Sequence, residues 1–164
     1  MNGLEIRPAR LADAAALADL STQLGYPSSP GATAARLARL LHTAQTAQTA
    51  PPAPQSPVAA AADHLVLVAA TSAGQVVGWV HLGTTVTLES EPFVELFGLV
   101  VDQALRGRKI GERLVLSGLE WAAARGFDQV RVRSNVVRAD AHRFYERLGF
   151  KVVKTQKVFS RPAK

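Results

Sequence analysis

An α/β fold with the element order βααβββαβαβ is predicted by three features of this 164-residue sequence. The length is that of one ordinary domain, and a hydrophobic content of 48% supplies a core. Short apolar runs with strand character alternate with longer segments whose leucines recur at helical spacing. Between them, the apolar run Phe93–Val101 leads into Arg106-Gly107-Arg108-Lys109-Ile110-Gly111, a basic glycine turn that opens an amphipathic helix. We therefore expect residues 1–164 to form a single domain.

Leu4–Arg7 reads as the first strand, ended by Pro8. A helix is expected from about Leu11 to Leu24, with Leu17, Leu20 and Leu24 at helical spacing and Gly25 as its C-cap. After the turn Tyr26–Gly31, a second helix carries the stripe Leu37, Leu40 and Leu41 through about Thr43. From there the chain turns into Thr, Ala, Gln and Pro, which predicts a flexible insertion over about residues 43–62. His64–Ala70 and Gln75–Leu82 form a hairpin around Thr71-Ser72-Ala73-Gly74. The strand Phe93–Val101 follows, then a helix from Gly107 to Arg125 burying Ile110, Leu114, Val115, Leu119 and Ala122, with Gly118 on that face allowing close approach to a sheet. Asp128–Arg133 is a strand, Arg138–Leu148 a helix and Phe150–Phe159 a last strand.

The basic turn reads as an anion cradle. A helix beginning near Gly107 presents unpaired N–H groups and the positive end of its dipole. Gly107 and Gly111 let the backbone approach a pyrophosphate closely, and Arg106, Arg108 and Lys109 add cationic donors. The glycine spacing is neither that of a Walker loop nor that of a dinucleotide fingerprint.

A second segment, Ser134 to Phe150, reads as a strand end, a loop with Asn135, a short helix and a Gly149 C-cap. Together the two segments resemble the GNAT superfamily of acetyl-coenzyme A-dependent N-acetyltransferases. Arg106 and Gly111 match the ends of that family's first motif, while Lys109 stands where its first glycine is usual. Asn135, Ala141, Phe144, Tyr145, Gly149 and Phe150 approximate the second motif, with a longer step from Asn135 to Ala141. The N-terminus, Ile6-Arg7-Pro8-Ala9 leading into an Ala-rich helix, resembles the same family.

The resemblance implies a mixed, mostly antiparallel central sheet flanked by helices, and acetyl transfer from acetyl-CoA to a primary amine by direct attack in a ternary complex. It implies that Arg106, Gly107, Arg108, Lys109, Ile110, Gly111 and Glu112 hold the pyrophosphate. The pantetheine arm would run along Leu99, Val100 and Val101, beyond a bulge at Gly98, with Asn135 bonding the arm or ordering its loop. Glu95 would be the base, directly or through a water, and Tyr145 the acid for the coenzyme A thiolate. On the residues alone, Glu95 reads equally as an exposed strand glutamate, Asn135 as a turn residue, and Tyr145 as a core residue on the face Ala141, Phe144, Tyr145, Leu148. His81, at a strand end beside the expected cleft, is the alternative base; His42, His64 and His142 read as surface or interface residues. Glu89 and Glu91 lie in a loop that would attract a cationic amine if it overhangs the cleft. The alternative function is a non-catalytic acyl-CoA-binding module.

The absence of cysteine excludes disulfides, thiolate zinc sites and a covalent acyl-cysteine, and no metal cluster is expected. No apolar window reaches membrane-spanning length and Met1–Arg10 has no signal-peptide character, so a cytoplasmic protein without membrane partners is expected. The net charge of +6 is lopsided. Residues 1–101 carry 4 Lys and Arg against 7 Asp and Glu (net −3), and residues 102–164 carry 15 against 6 (net +9). That positive half suits a polyanion such as coenzyme A. Nucleic acid is the weakest alternative partner, because no aromatic stacking array or recognition helix accompanies the arginines. A homodimer is compatible with the sequence.

Overall fold

The computed structural model describes residues 3–49 and 64–164, residues 43–49 by their backbone alone. Its elements are β1 (Glu5–Pro8), α1 (Ala14–Gln23), α2 (Pro30–Thr49), β2 (His64–Ala70), β3 (Val76–Thr85), β4 (Phe93–Val101), α3 (Ile110–Ala124), β5 (Val130–Val132) and α4 (Ala139–Arg147). Single 3₁₀ turns at Leu11–Asp13 and Gln103–Leu105 precede α1 and α3. By contacts the chain divides into two compact units, Met1–Arg133 and Ser134–Lys164.

In the first unit the five strands lie in sequence order, β1 to β4 antiparallel and β5 parallel to β4. The parallel step requires a crossover, and α3 supplies it. This is the mixed, mostly antiparallel sheet that the family resemblance implied. One sheet face carries Val66, Val68 and Trp79, which pack with Ala9, Leu17 and Leu37 from the β1 exit, α1 and α2. The other face meets α3 through fully buried Leu82 and Leu114. Gly118 of α3 lies against Leu82 so closely that a Cβ there would fall 2.8 Å from both Leu82 methyls.

The start of α1 is tied by a buried carboxylate. Asp13 accepts two bonds from the Arg7 guanidinium, at 2.8 and 2.9 Å, and one from the Arg10 amide at 2.7 Å. The Arg7 bonds outweigh burial and hold the Asp13 carboxyl below its ordinary range.

Four expectations are corrected. The first helix begins as a 3₁₀ turn and becomes α-helical only at Ala14. The second runs on to Thr49 instead of stopping near Thr43, because Ala44, Gln45, Ala47 and Gln48 sustain a helix and no proline occurs before Pro51. The remainder of the expected insertion, residues 50–62, lies outside the described residues. The third helix starts at Ile110, three residues after Gly107. Finally, Phe150–Phe159 forms no strand: residues 150–164 have no regular structure, and Val152, Val153, Val158 and Phe159 are exposed. A strand-like pattern makes a strand only where a ladder partner supplies its hydrogen bonds, and none of the described strands pairs with this segment.

Candidate active site

The cradle is built by the chain leaving β4. The Asp102 amide donates to Val77 O at 2.9 Å, and the Asp102 carboxylate accepts from the Ala104 amide at 2.9 Å, which winds the Gln103–Leu105 turn. The Gln103 amide donates to Gln23 Oε1 at 3.0 Å, tying the turn to the end of α1. Arg106 is extended, Gly107 has φ +76°, and Lys109 has φ +60° and ψ 13°. Lys109 is the only described non-glycine residue with positive φ, and it is the N-cap of α3. The first bond of the helix runs from the Arg113 amide to Lys109 O, so the N–H groups of Ile110, Gly111 and Glu112 have no intrahelical acceptor. Arg106, Gly107, Arg108 and Lys109 are all exposed. The left-handed turn at Lys109 is the conformation a glycine adopts without cost, which accounts for the glycine that the resemblance places there.

Upstream, β4 parts from β5. Their pairing covers only Val94–Leu96 against Val130–Val132, so from Phe97 to Val101 the outer edge of β4 has no partner among the described strands. At the same place β3 and β4 slip register: His81 faces Gly98 and Leu82 faces Leu96, leaving Phe97 as the extra residue of a bulge. Gly98 makes room for the Trp79 ring, whose atoms would lie 2.8–2.9 Å from a Cβ at that position. The bulge expected at Gly98 is therefore present, one residue earlier.

Glu95 is a buried strand carboxylate, 6% exposed, and not the exposed strand glutamate that the residues alone allowed. Its partner is Arg133, whose Nε lies 2.8 Å from Oε1 and whose Nη2 donates to Oε2 at 3.2 Å. Register alignment places Glu95 in one row with His64, across Gly83, and with Arg131 of β5. His64 Nδ1 and His81 Nε2 are 3.1 Å apart, and Phe97 packs on both rings, 5.9 Å and 5.0 Å between centroids. Burial, then the charge of His64, push His81 down to about 4. His64 is thus packed with His81 and Phe97 and is not a lone surface histidine. Glu89 and Glu91 are exposed, on the loop before β4.

Asn135 and Tyr145 belong to the second unit. Asn135 Oδ1 accepts from the Val137 amide at 3.2 Å, and Asn135 O contacts His142 Nε2 at 3.0 Å, so the residue shapes the turn into α4. Tyr145 packs edge-on against Phe144 and Phe150, with centroids at 5.2 and 5.6 Å. Burial pushes its hydroxyl up to about 12, against a smaller opposing effect of Arg138, so the proton stays on the oxygen at neutral pH.

The sequence model of the acetyltransferase (GNAT) family matches residues 35–150, most of the chain. The chain belongs to the GNAT acetyltransferase family. Over 79 residues it is 38% identical to the aminoalkylphosphonate N-acetyltransferase of Salmonella typhimurium, an alignment covering 48% of this chain and 51% of that protein. The chain thus spans about half the length of that relative. Its fold is similar to the aminoglycoside 6'-N-acetyltransferase AAC(6')-Ih of Acinetobacter baumannii, with a TM-score of 0.75 at 17% identity, covering 99% of this chain and 100% of the other. The aminoglycoside N-acetyltransferase AAC(6')-Iy, solved in complex with CoA, superposes with a TM-score of 0.73 at 17% identity, covering 98% and 95% of the two chains. Residues Arg133 and His64 were missed by sequence reading. Their partners are 38 and 17 positions away, and only strand register brings them together.

Proposed function

We propose that this GNAT protein transfers acetyl from acetyl-CoA to a primary amine by direct attack in a ternary complex, in the cytoplasm. The observation that carries the reading is the β4 edge from Phe97 to Val101, without a partner among the described strands, followed by the Ile110, Gly111 and Glu112 amides that lack an intrahelical acceptor at the N-terminus of α3, with exposed cations on the turn between them. Its residues fit the cosubstrate. Leu99, Val100 and Val101 offer strand-edge groups for the pantetheine amides. Arg106, Gly107, Arg108, Lys109, Ile110, Gly111 and Glu112 offer N–H groups and positive charge for the pyrophosphate. Lys109 keeps the backbone turn that a glycine would give, so the departure from the family pattern at this position leaves the turn's backbone geometry in place.

Acetyl-CoA supplies an activated thioester, so the protein has to position the amine, remove its proton and protonate the thiolate. Glu95, fixed by Arg133, holds the ammonium and takes its proton directly or through a water. Asn135 orders the loop before α4, and Tyr145 gives its hydroxyl proton to the leaving thiolate. The exposed Phe97 ring beside Glu95 offers an apolar wall to the acceptor.

The test is acetyl-CoA consumption against a panel of amines that includes aminoalkylphosphonates and aminoglycosides, the substrate classes in the names of the relatives. At least one amine should be acetylated, and Glu95→Gln should lower that turnover about 10²-fold or more with acetyl-CoA affinity little changed. A wild-type protein that binds acetyl-CoA and acetylates no amine would return the reading to a binding module.

A further inference from the structure

The carboxylate of Glu95 is already neutralised before any amine arrives, because both its oxygens are bound by the guanidinium of Arg133. Parallel register sets a different arginine, Arg131, directly beside Glu95 on β5. Strand alternation carries Arg131 and Arg133 to the same side of the sheet. One carboxylate therefore stands against two guanidinium groups, and a positive charge is left over. Arg131 has no carboxylate partner among the described residues.

The surplus cation is held in place. Its guanidinium carbon lies 3.7 Å from the centre of the buried Phe93 ring, and its Nε donates to Gln129 Oε1 at 2.7 Å. Stacking and the Nε tether leave the two Nη groups as a fork, the donor geometry that matches a carboxylate or phosphonate with paired bonds. These Nη groups bond no acceptor among the described residues, and the side chain is only half-buried. Phe93 precedes Glu95 by two residues on the same face of β4, a step of about 6.6 Å at roughly 3.3 Å per residue. The fork over Phe93 thus stands about one such step from the carboxylate.

We propose that Arg131 is a specificity-determining residue of the acceptor site and that the acceptor is a short zwitterion, a primary amine carrying a phosphonate or carboxylate a few carbons away. This deepens the acetyltransferase reading above and rests on it. The ammonium goes to Glu95 and the acidic group to the Arg131 fork. An acceptor that brought only a cation would add to the surplus charge, whereas a zwitterion supplies the missing anion together with the amine. An uncharged chain in the same place would cover Arg131 and leave its fork unpaired, at the cost of its desolvation.

The experiment measures kcat/KM at saturating acetyl-CoA for wild type, Arg131→Met and Arg131→Lys. The amines are aminoethylphosphonate and β-alanine, the uncharged-chain counterparts ethanolamine and propylamine, and the dication putrescine. Wild type should favour at least one acidic amine over the uncharged pair by about tenfold or more, and the phosphonate and carboxylate arms show which acid fits. Arg131→Met keeps an apolar stem over Phe93 and removes the charge, so that ratio should fall to about one through a higher KM for the acidic amine. Arg131→Lys keeps the charge without the fork and should hold an intermediate ratio. The proposal is overturned if propylamine, ethanolamine or putrescine is used as well as the acidic amines, if Arg131→Met preserves the ratio, or if it slows every amine alike, which marks a structural role. The wild-type ratio decides even where a variant does not fold. Turnover confined to amines without an acidic group removes this proposal and leaves acetyl transfer standing, whereas wild-type failure on every amine defeats the acetyltransferase reading itself.

Discussion

Lys109 carries the sharpest consequence at the scale of a single residue. A lysine in the left-handed region costs roughly 1–2 kcal/mol, of which a glycine would return part, since glycine itself loses about 0.5–1 kcal/mol of chain entropy on folding. Lys109→Gly should therefore stabilise the protein by about 0.5–1 kcal/mol in denaturant unfolding, while weakening acetyl-CoA binding through the lost charge. A destabilised variant would show that the lysine side chain supports the turn. The departure of Lys109 from the family pattern was legible in the sequence, but its cause was not, because a backbone dihedral has no letter of its own. Glu95 shows the converse. Its position on the strand before the cradle was readable, whereas its counter-ion is set by the parallel pairing of β4 with β5 and lies beyond any local pattern.

Elements were legible where periodicity is long and failed where an element depends on a neighbour. Of the expected α3 face, Ile110, Leu114, Val115, Gly118 and Ala122 are buried and Leu119 is half-buried, and the hairpin of β2 and β3 forms around Thr71–Gly74. Phe150–Phe159 has the composition of a strand, yet lacks a ladder partner among the described strands. The contact of α3 with the sheet gives a test with opposing terms. Gly118→Ala gains about 1 kcal/mol of helix propensity. It also drives a methyl to 2.8 Å from the two Leu82 methyls, and Leu82 is fully buried and cannot swing away. Overpacking of this kind costs about 1–3 kcal/mol, so the net effect should be a loss, with Tm lower by about 2–4 °C per kcal/mol. A raised Tm would mean that the sheet and α3 can separate at little cost.

At the scale of the whole molecule, acid stability separates into two windows that belong to different groups. His81 has a folded value of about 4 and an unfolded value near 6.5, so between these the unfolded chain binds the extra proton. The stability associated with neutral His81 is complete above about pH 6.5 and is lost progressively as pH falls toward 4. Asp13 works lower. Its folded value is held below the unfolded value near 4 chiefly by the Arg7 bonds, so its contribution is present above that value and disappears as pH falls through the folded one. Chemical denaturation at a series of pH values should then show a decline beginning near pH 6.5, well before the carboxylates titrate. In His81→Asn the decline between pH 6.5 and 4 should flatten, and in Asp13→Asn the part below pH 4 should flatten while the earlier decline persists. His64→Gln should shrink the first window without abolishing it, because burial, the larger cause of the His81 shift, survives the loss of the neighbouring charge. If His81→Asn and wild type lose stability in parallel over the whole range, His81 is protonated as easily folded as unfolded, and the sheet face around the bulge is open to water.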